Sequence, residues 1–230
     1  MLLKRPAKRG SKYNKKIDPK TFYVAYEGIG DEKEYFELFP KRIERRFLKN
    51  FSFIPVEKTN TDAEPVHVLR DLEKRMEQDG IKINKDNDNY VAYIVIDTDH
   101  HFTGTHTKET VNVLQKCRQK GIKVALTNPC FEVWLMCHLE DLSKMPNSFH
   151  QSLIKNEKIR RHNTYAKVKW SEIRKARPMS EVLTYIEDAL INEDKINCMC
   201  KNPEDTPPDG VYSGVGTIFK EIKNCGIPIK

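Results

Sequence analysis

Short apolar runs alternate with stretches of helical periodicity over the first two thirds of the chain. Phe22-Tyr23-Val24-Ala25-Tyr26 reads as a buried strand ended by Glu27-Gly28. From Asp31 the spacing turns helical, with Tyr35, Phe36 and Phe39 on one face and Pro40 interrupting. Phe51 to Val56 is a second strand. Glu64 to about Gln78 is a helix that buries Val68, Leu69, Leu72 and Met76. After a polar loop over 80–89, Val91 to Ile96 is apolar throughout, which predicts a strand covered on both faces and central in its sheet. Thr107 to Lys120 is helical, and Gly121 closes it as a C-terminal glycine does. Ile122 to Leu126 is a fourth strand. Asn128 and Pro129 then suit the cap and first position of a helix whose face carries Phe131, Trp134, Leu135 and His138.

A strand–helix alternation repeated four times argues for a parallel sheet covered by helices. Beyond residue 140 the pattern weakens to helices near 151–158, 164–175, 180–192 and 214–223, with a loop at 203–208. The expected organisation is a basic tail over 1–20, an α/β core over 21–140 and a mainly helical part over 141–230 packed on that core.

Charge sharpens this division. The chain carries a net +7 over 230 residues. Residues 1–20 hold eight Lys/Arg, among them Lys4, Arg5, Lys8 and Arg9, against Asp18 alone, so the whole excess sits in the tail. Such a segment has little to bury and suits a polyanion such as nucleic acid, or serves solubility alone. A second basic stretch, 151–178, interleaves Tyr165 and Trp170 with Arg160, Arg161, Lys167 and Lys169. Cations for phosphates and rings for bases make this a nucleic-acid surface, or else a solvated helix face.

No apolar run approaches a membrane span and the basic N-terminus lacks a signal-type core, so a cytoplasmic protein is expected. The six cysteines are irregularly spaced and read as reduced thiols. Cys198 with Cys200, or Cys130, Cys137 and His138, offer zinc-ligating atoms, but without paired CxxC spacing.

The candidate chemistry lies at strand ends. In a parallel α/β sheet, sites form beyond the C-terminal ends of the strands. Glu27 follows the first strand, and Asp97 and Asp99 follow the third. Glu32 opens the first helix, and Glu132 opens the helix after the fourth strand. Residues two apart on an extended chain point the same way, so Asp97 and Asp99 can reach one ion. Two unit charges about 4 Å apart repel by roughly 4 kcal/mol at an effective dielectric near 20. A divalent cation offsets that cost, and an oxygen-only donor set favours Mg²⁺ or Mn²⁺. Any one of these acids alone reads as readily as a loop residue or helix cap. Gly28 suits a tight turn bringing backbone close to a ligand. His100, His101 and His106 could bind metal or phosphate, or be loop residues. His138, sharing a face with Phe131 and Trp134, reads as a hydrogen-bonded core histidine.

Glu27-Gly28 after one strand and Asp97-x-Asp99 after another resemble the Toprim domain of topoisomerases, primases and certain nucleases. More narrowly, EGIGDEKEYF (27–36) and TNPCFEVWLMCH (127–138) are similar to two signatures of the RloB-like family. Asp31 stands where that family usually has Thr; either caps a helix, so little consequence is expected. The resemblance implies a Toprim-like α/β Rossmannoid with a mainly parallel central sheet and a helical C-terminal extension. It implies a Mg²⁺- or Mn²⁺-dependent nuclease of bacterial anti-phage defence, acting on DNA or RNA and often paired with an ATPase. Glu27, Asp97 and Asp99 become metal-binding acids, and Glu32, Glu132 and His138 further candidates. Glu27 would be base or ligand, Glu132 would hold a second metal or orient water, and His138 would orient Glu132 or contact phosphate. Two other readings stay open. One is a non-catalytic nucleic-acid-binding or sensing subunit. The other is a dehalogenase-like phosphatase, disfavoured because His101 stands four after Asp97, where Thr or Val is usual.

Overall fold

The computed structural model describes residues 20–58, 64–85, 89–99, 101–102, 106–161, 163–203 and 206–230. The tail with Lys4, Arg5, Lys8 and Arg9, and also His100, lie outside the described residues.

The four predicted strands form β1 (Lys20–Ala25), β2 (Phe51–Val56), β3 (Tyr90–Asp97) and β4 (Lys123–Asn128). Between them run α1 (Asp31–Leu38), α2 (Pro65–Gln78) and α3 (His106–Lys120). A 3-10 turn over Phe39–Arg42 follows α1, where Pro40 cannot donate to a continuing helix. Gly121 takes φ 72° at the end of α3, as its cap role requires. Then come α4 (Glu132–Cys137), α5 (Asn147–Lys155) and a small hairpin of β5 (Lys158–Arg160) and β6 (Asn163–Thr164). The chain continues through α6 (Tyr165–Arg174), α7 (Met179–Val182), α8 (Ile186–Asn197), β7 (Tyr212–Ser213) and α9 (Gly216–Asn224).

The main sheet has the order β2-β1-β3-β4-β7, with β3 in the middle. Its first four strands pair in parallel, and β7 adds antiparallel to β4. This is a Rossmann-like arrangement, as expected; the antiparallel edge strand β7 and the β5–β6 hairpin were not legible in the sequence. From β1 the chain winds first to β2 on one side. It then returns to β3 on the other and proceeds to β4. The crevice between β1 and β3 is therefore the point where the winding reverses, the place where such sheets bind ligands.

Strand alternation divides the core into two layers. Phe22, Val24, Val91, Tyr93 and Val95 face α1, α4, α8 and α9, whose Phe36, Trp134, Leu190 and Phe219 pack there. Tyr23, Ala25, Ala92, Ile94 and Ile96 face α2 and α3, meeting Leu69, Leu72, Met76 and Val113. With both faces covered, β3 is buried along its length until Asp97, which explains its continuous apolar run.

Asn128 departs from its expected role. It is the last residue of β4, joined to Pro129 by a cis peptide, and Phe131 rather than Asn128 flanks α4. Its side chain instead accepts from Thr98 Oγ1 at 2.6 Å and donates to the carbonyls of Pro208 and Gly210. No helix among the described residues is long and apolar enough to cross a membrane.

Candidate metal-binding cleft

Ala25 pairs with Ile94 and Asp97 with Thr127, so Glu27 and Asp97 leave adjacent strands at the same edge of the sheet. There they line a cleft of about 890 Å³ together with Asp99, Glu32 and Glu132. All five acids anticipated at this edge reach it. The cleft is also lined by α6 and the segment after it, with Lys167, Trp170, Arg174 and Arg177, and by Lys58.

Four of the five carboxylates meet a protein polar group. Thr127 Oγ1 donates to Asp97 Oδ1 at 2.5 Å. Gly28 N donates to Glu32 Oε2 at 2.6 Å. Asn156 Nδ2 donates to Asp99 Oδ2 at 2.9 Å. His101 Nε2 lies 2.8 Å from Glu27 Oε2. Burial lowers the basicity of His101, which favours a hydrogen bond over an ion pair at this contact. The other oxygen, Glu27 Oε1, is buried with no hydrogen-bond partner among the described residues. An unsatisfied buried carboxylate oxygen is costly, and a cation is one group that would satisfy it.

The local field reflects the crowding. Burial, then the Asp99 charge, raises the Glu27 carboxyl well above its usual range, with Lys58 opposing. Glu32 is raised by burial and then by Glu27, against the donating Gly28 N–H. Asp97 is raised by burial and then by Glu32, Glu27 and Glu132, against the Thr127 hydroxyl. Acids that burial and crowding make harder to ionise would give up their protons more readily to a divalent ion. The all-oxygen donor set fits a hard cation such as Mg²⁺ or Mn²⁺.

Gly28 lines the cleft, and it has a further steric role there. A Cβ at this position would overlap the Glu32 carboxylate, so glycine is needed for the approach of Glu32. Asp31 is also reassigned. It lies inside the first turn of α1, whose flanking residue is Gly30. Its carboxylate accepts from Trp170 Nε1 and Arg174 Nη1, both at 2.8 Å, and so ties α1 to α6.

His138 is corrected as a site residue. It is 1% exposed and does not line the cleft. Its Nδ1 lies 3.0 Å from the Trp134 carbonyl, which only accepts, so Nδ1 carries the proton and Nε2 accepts from Tyr35 Oη at 3.1 Å. Burial lowers its pKa to about 4, keeping the ring neutral. His138 is a core residue, as its helical face alone indicated.

The basic segment divides in two. Arg160 and Arg161 are exposed on the hairpin and at its turn, and Lys167 is exposed at the cleft. Lys169 is drawn to Glu172 at 2.7 Å and lies over the Tyr165 ring. Trp170 is 2% exposed and gives its N–H to Asp31, so it is not a base-stacking platform. The zinc sets do not assemble. Among the described residues, the one group of three potential ligands with atoms all within 4.8 Å is Glu64, His106 and Glu109. The six cysteines are free, and Cys200 donates to Asp209.

Sequence reasoning missed Asn156 and undervalued His101. Nothing in the linear pattern marks Asn156, which reaches Asp99 across 57 positions. His101 was one of three loop histidines, and only the closeness of β1 to β3 sets it on Glu27.

No curated protein and no solved structure matches the chain. The family model described as RloB-like protein matches residues 22–222, most of the length. With Glu27-Gly28 and Cys130-Phe131-Glu132 inside that span and lining one cleft, the chain belongs to the RloB-like protein family.

Proposed function

We propose that the cleft is a divalent-cation-dependent site for phosphodiester hydrolysis in nucleic acid, acting in bacterial antiviral defence with an ATPase partner. Family membership suggests a defence-related protein. The observation that carries the chemistry is the convergence of five acids at the β1–β3 crevice, with Glu27 Oε1 buried and unpartnered among the described residues. Glu27, Asp97 and Asp99 would hold the cation, with Glu32 and Glu132 beside them. Bound there, Mg²⁺ or Mn²⁺ supplies charge against a developing phosphate oxyanion and acidifies water. The chain's own residues position and exclude. His101 holds Glu27, Thr127 holds Asp97, and Lys167, Arg160 and Arg161 offer cations to backbone phosphates. The basic tail, including Lys4, Arg5, Lys8 and Arg9, adds to that attraction.

The deciding experiment is a cleavage assay on DNA and on RNA with Mg²⁺ or Mn²⁺, with and without the ATPase partner. Wild type is expected to cut and Asp97→Ala to be inactive while folded. Equal activity in the two proteins overturns the assignment. One observation favours a second reading, a non-catalytic binding or sensing subunit. Glu32, Asp97 and Asp99 each accept from a protein donor, and no three of the five acids bring oxygens together within 4.8 Å. Tight nucleic-acid binding without scission under any of these conditions would establish that reading instead.

A further inference from the structure

Asn156 ends α5 in the left-handed conformation, φ 41° and ψ 42°. Asn visits this region because its short polar side chain can bond nearby backbone. Here the side chain does something else. Its Nδ2 donates to Asp99 Oδ2 at 2.9 Å, and its Oδ1 accepts from Ala166 N at 3.0 Å. Ala166 is in the first turn of α6, where helix N–H groups lack internal partners, and the preceding Thr164 supplies no side-chain cap. Asn156 therefore caps α6 from ten positions upstream.

The two contacts determine each other. A backbone N–H can only donate, so the carbonyl end of the amide must face Ala166 and the donor end must face Asp99. Asn156 is 8% exposed, which shields this arrangement from competing water. The same amide thereby ties Asp99 to α6, the helix that carries Lys167 to the cleft. We propose that Asn156 is a positioning residue for the cation site. It orients the Asp99 carboxylate and fixes α6, with Lys167, relative to it. This rests on the reading of the cleft as a divalent-cation site.

Partners of metal-ligating side chains typically matter by about 10–100-fold in metal affinity. The test is Mn²⁺ binding to the full chain, followed by equilibrium dialysis and by the Mn²⁺ electron paramagnetic resonance signal. Four proteins are compared: wild type, Asp99→Asn, Asn156→Gly and Asn156→Ser. Glycine accepts the left-handed backbone and removes only the amide. Serine keeps a polar group too short to span both partners. Asp99→Asn and both Asn156 variants are expected to bind Mn²⁺ about tenfold more weakly or worse, with cooperative melting retained. If Asp99→Asn weakens binding while folded Asn156 variants stay within about twofold of wild type, the positioning inference falls and the cation reading stands. If Asp99→Asn leaves Mn²⁺ binding unchanged, the cation reading itself fails. If neither Asn156 variant folds, Asn156 is a stability residue and the proposal is overturned.

Discussion

Glu193 is a carboxylate buried inside α8, 1% exposed. Its Oε1 accepts from Ser213 Oγ and from Gly216 N, both at 2.8 Å, and its Oε2 lies 3.8 Å from Lys220 Nζ. Burial is the largest influence and raises its pKa from 4.5 to about 7, against those two donors and Lys220. A change of that size corresponds to roughly 3 kcal/mol between the protonation states. The folded protein holds this proton up to about pH 7, whereas the unfolded chain releases it near pH 4.5. The associated stability is fully present below the unfolded pKa and is lost as pH rises through the folded pKa. Glu193→Gln keeps an oxygen for both donors and cannot ionise. Urea unfolding of both proteins, from about pH 5 to about pH 8, should show the Gln variant gaining on wild type by up to roughly 3 kcal/mol. Parallel pH profiles, or a wild type that gains on the variant with rising pH, would refute the reasoning. The effect has a route to the cleft. Glu193 anchors Ser213 of β7, which pairs with Thr127, and Thr127 holds Asp97.

Three other outcomes are expected. Gly28→Ala drives a Cβ into the Glu32 carboxylate, which should cost about 1–3 kcal/mol in unfolding experiments and weaken Mn²⁺ binding. Asp97→Asn keeps an acceptor for Thr127 and removes a carboxylate penalised by burial and then by the nearby Glu32, Glu27 and Glu132. In chelator it should therefore melt higher by roughly 2–4 °C, for about 1 kcal/mol relieved, and added Mn²⁺ should raise its melting point less than that of wild type. Replacing Arg160, Arg161 or Lys167 by Ala should lower nucleic-acid affinity and reduce the slope of log affinity against log salt by about one per residue; an unchanged slope places the polyanion elsewhere.

Hydrophobic periodicity carried the elements of the first 140 residues closely. Phe51–Val56 and the long apolar β3 emerged as read, because burial on one or both faces is written into consecutive residues. The same logic brought five acids to one edge, since parallel strands share a C-terminal end. His138 follows the same logic. Its place in a signature suggested chemistry, whereas its helical face, shared with Phe131 and Trp134, correctly indicated the core.

What the chain's order of residues determined by itself was therefore local: which segments are strands and helices, and which strand ends carry carboxylates. Only the tertiary structure decided that β1 lies between β2 and β3, opening the crevice at Glu27 and Asp97. It alone set His101 on Glu27 across 74 positions, Asn156 on Asp99 across 57, and Asp31 against Trp170 across 139. Periodicity reports whether a residue faces its own element's buried side, over a range of one or two turns. Strand order and polar partners depend on how separate layers cover one another, and no single segment contains that information.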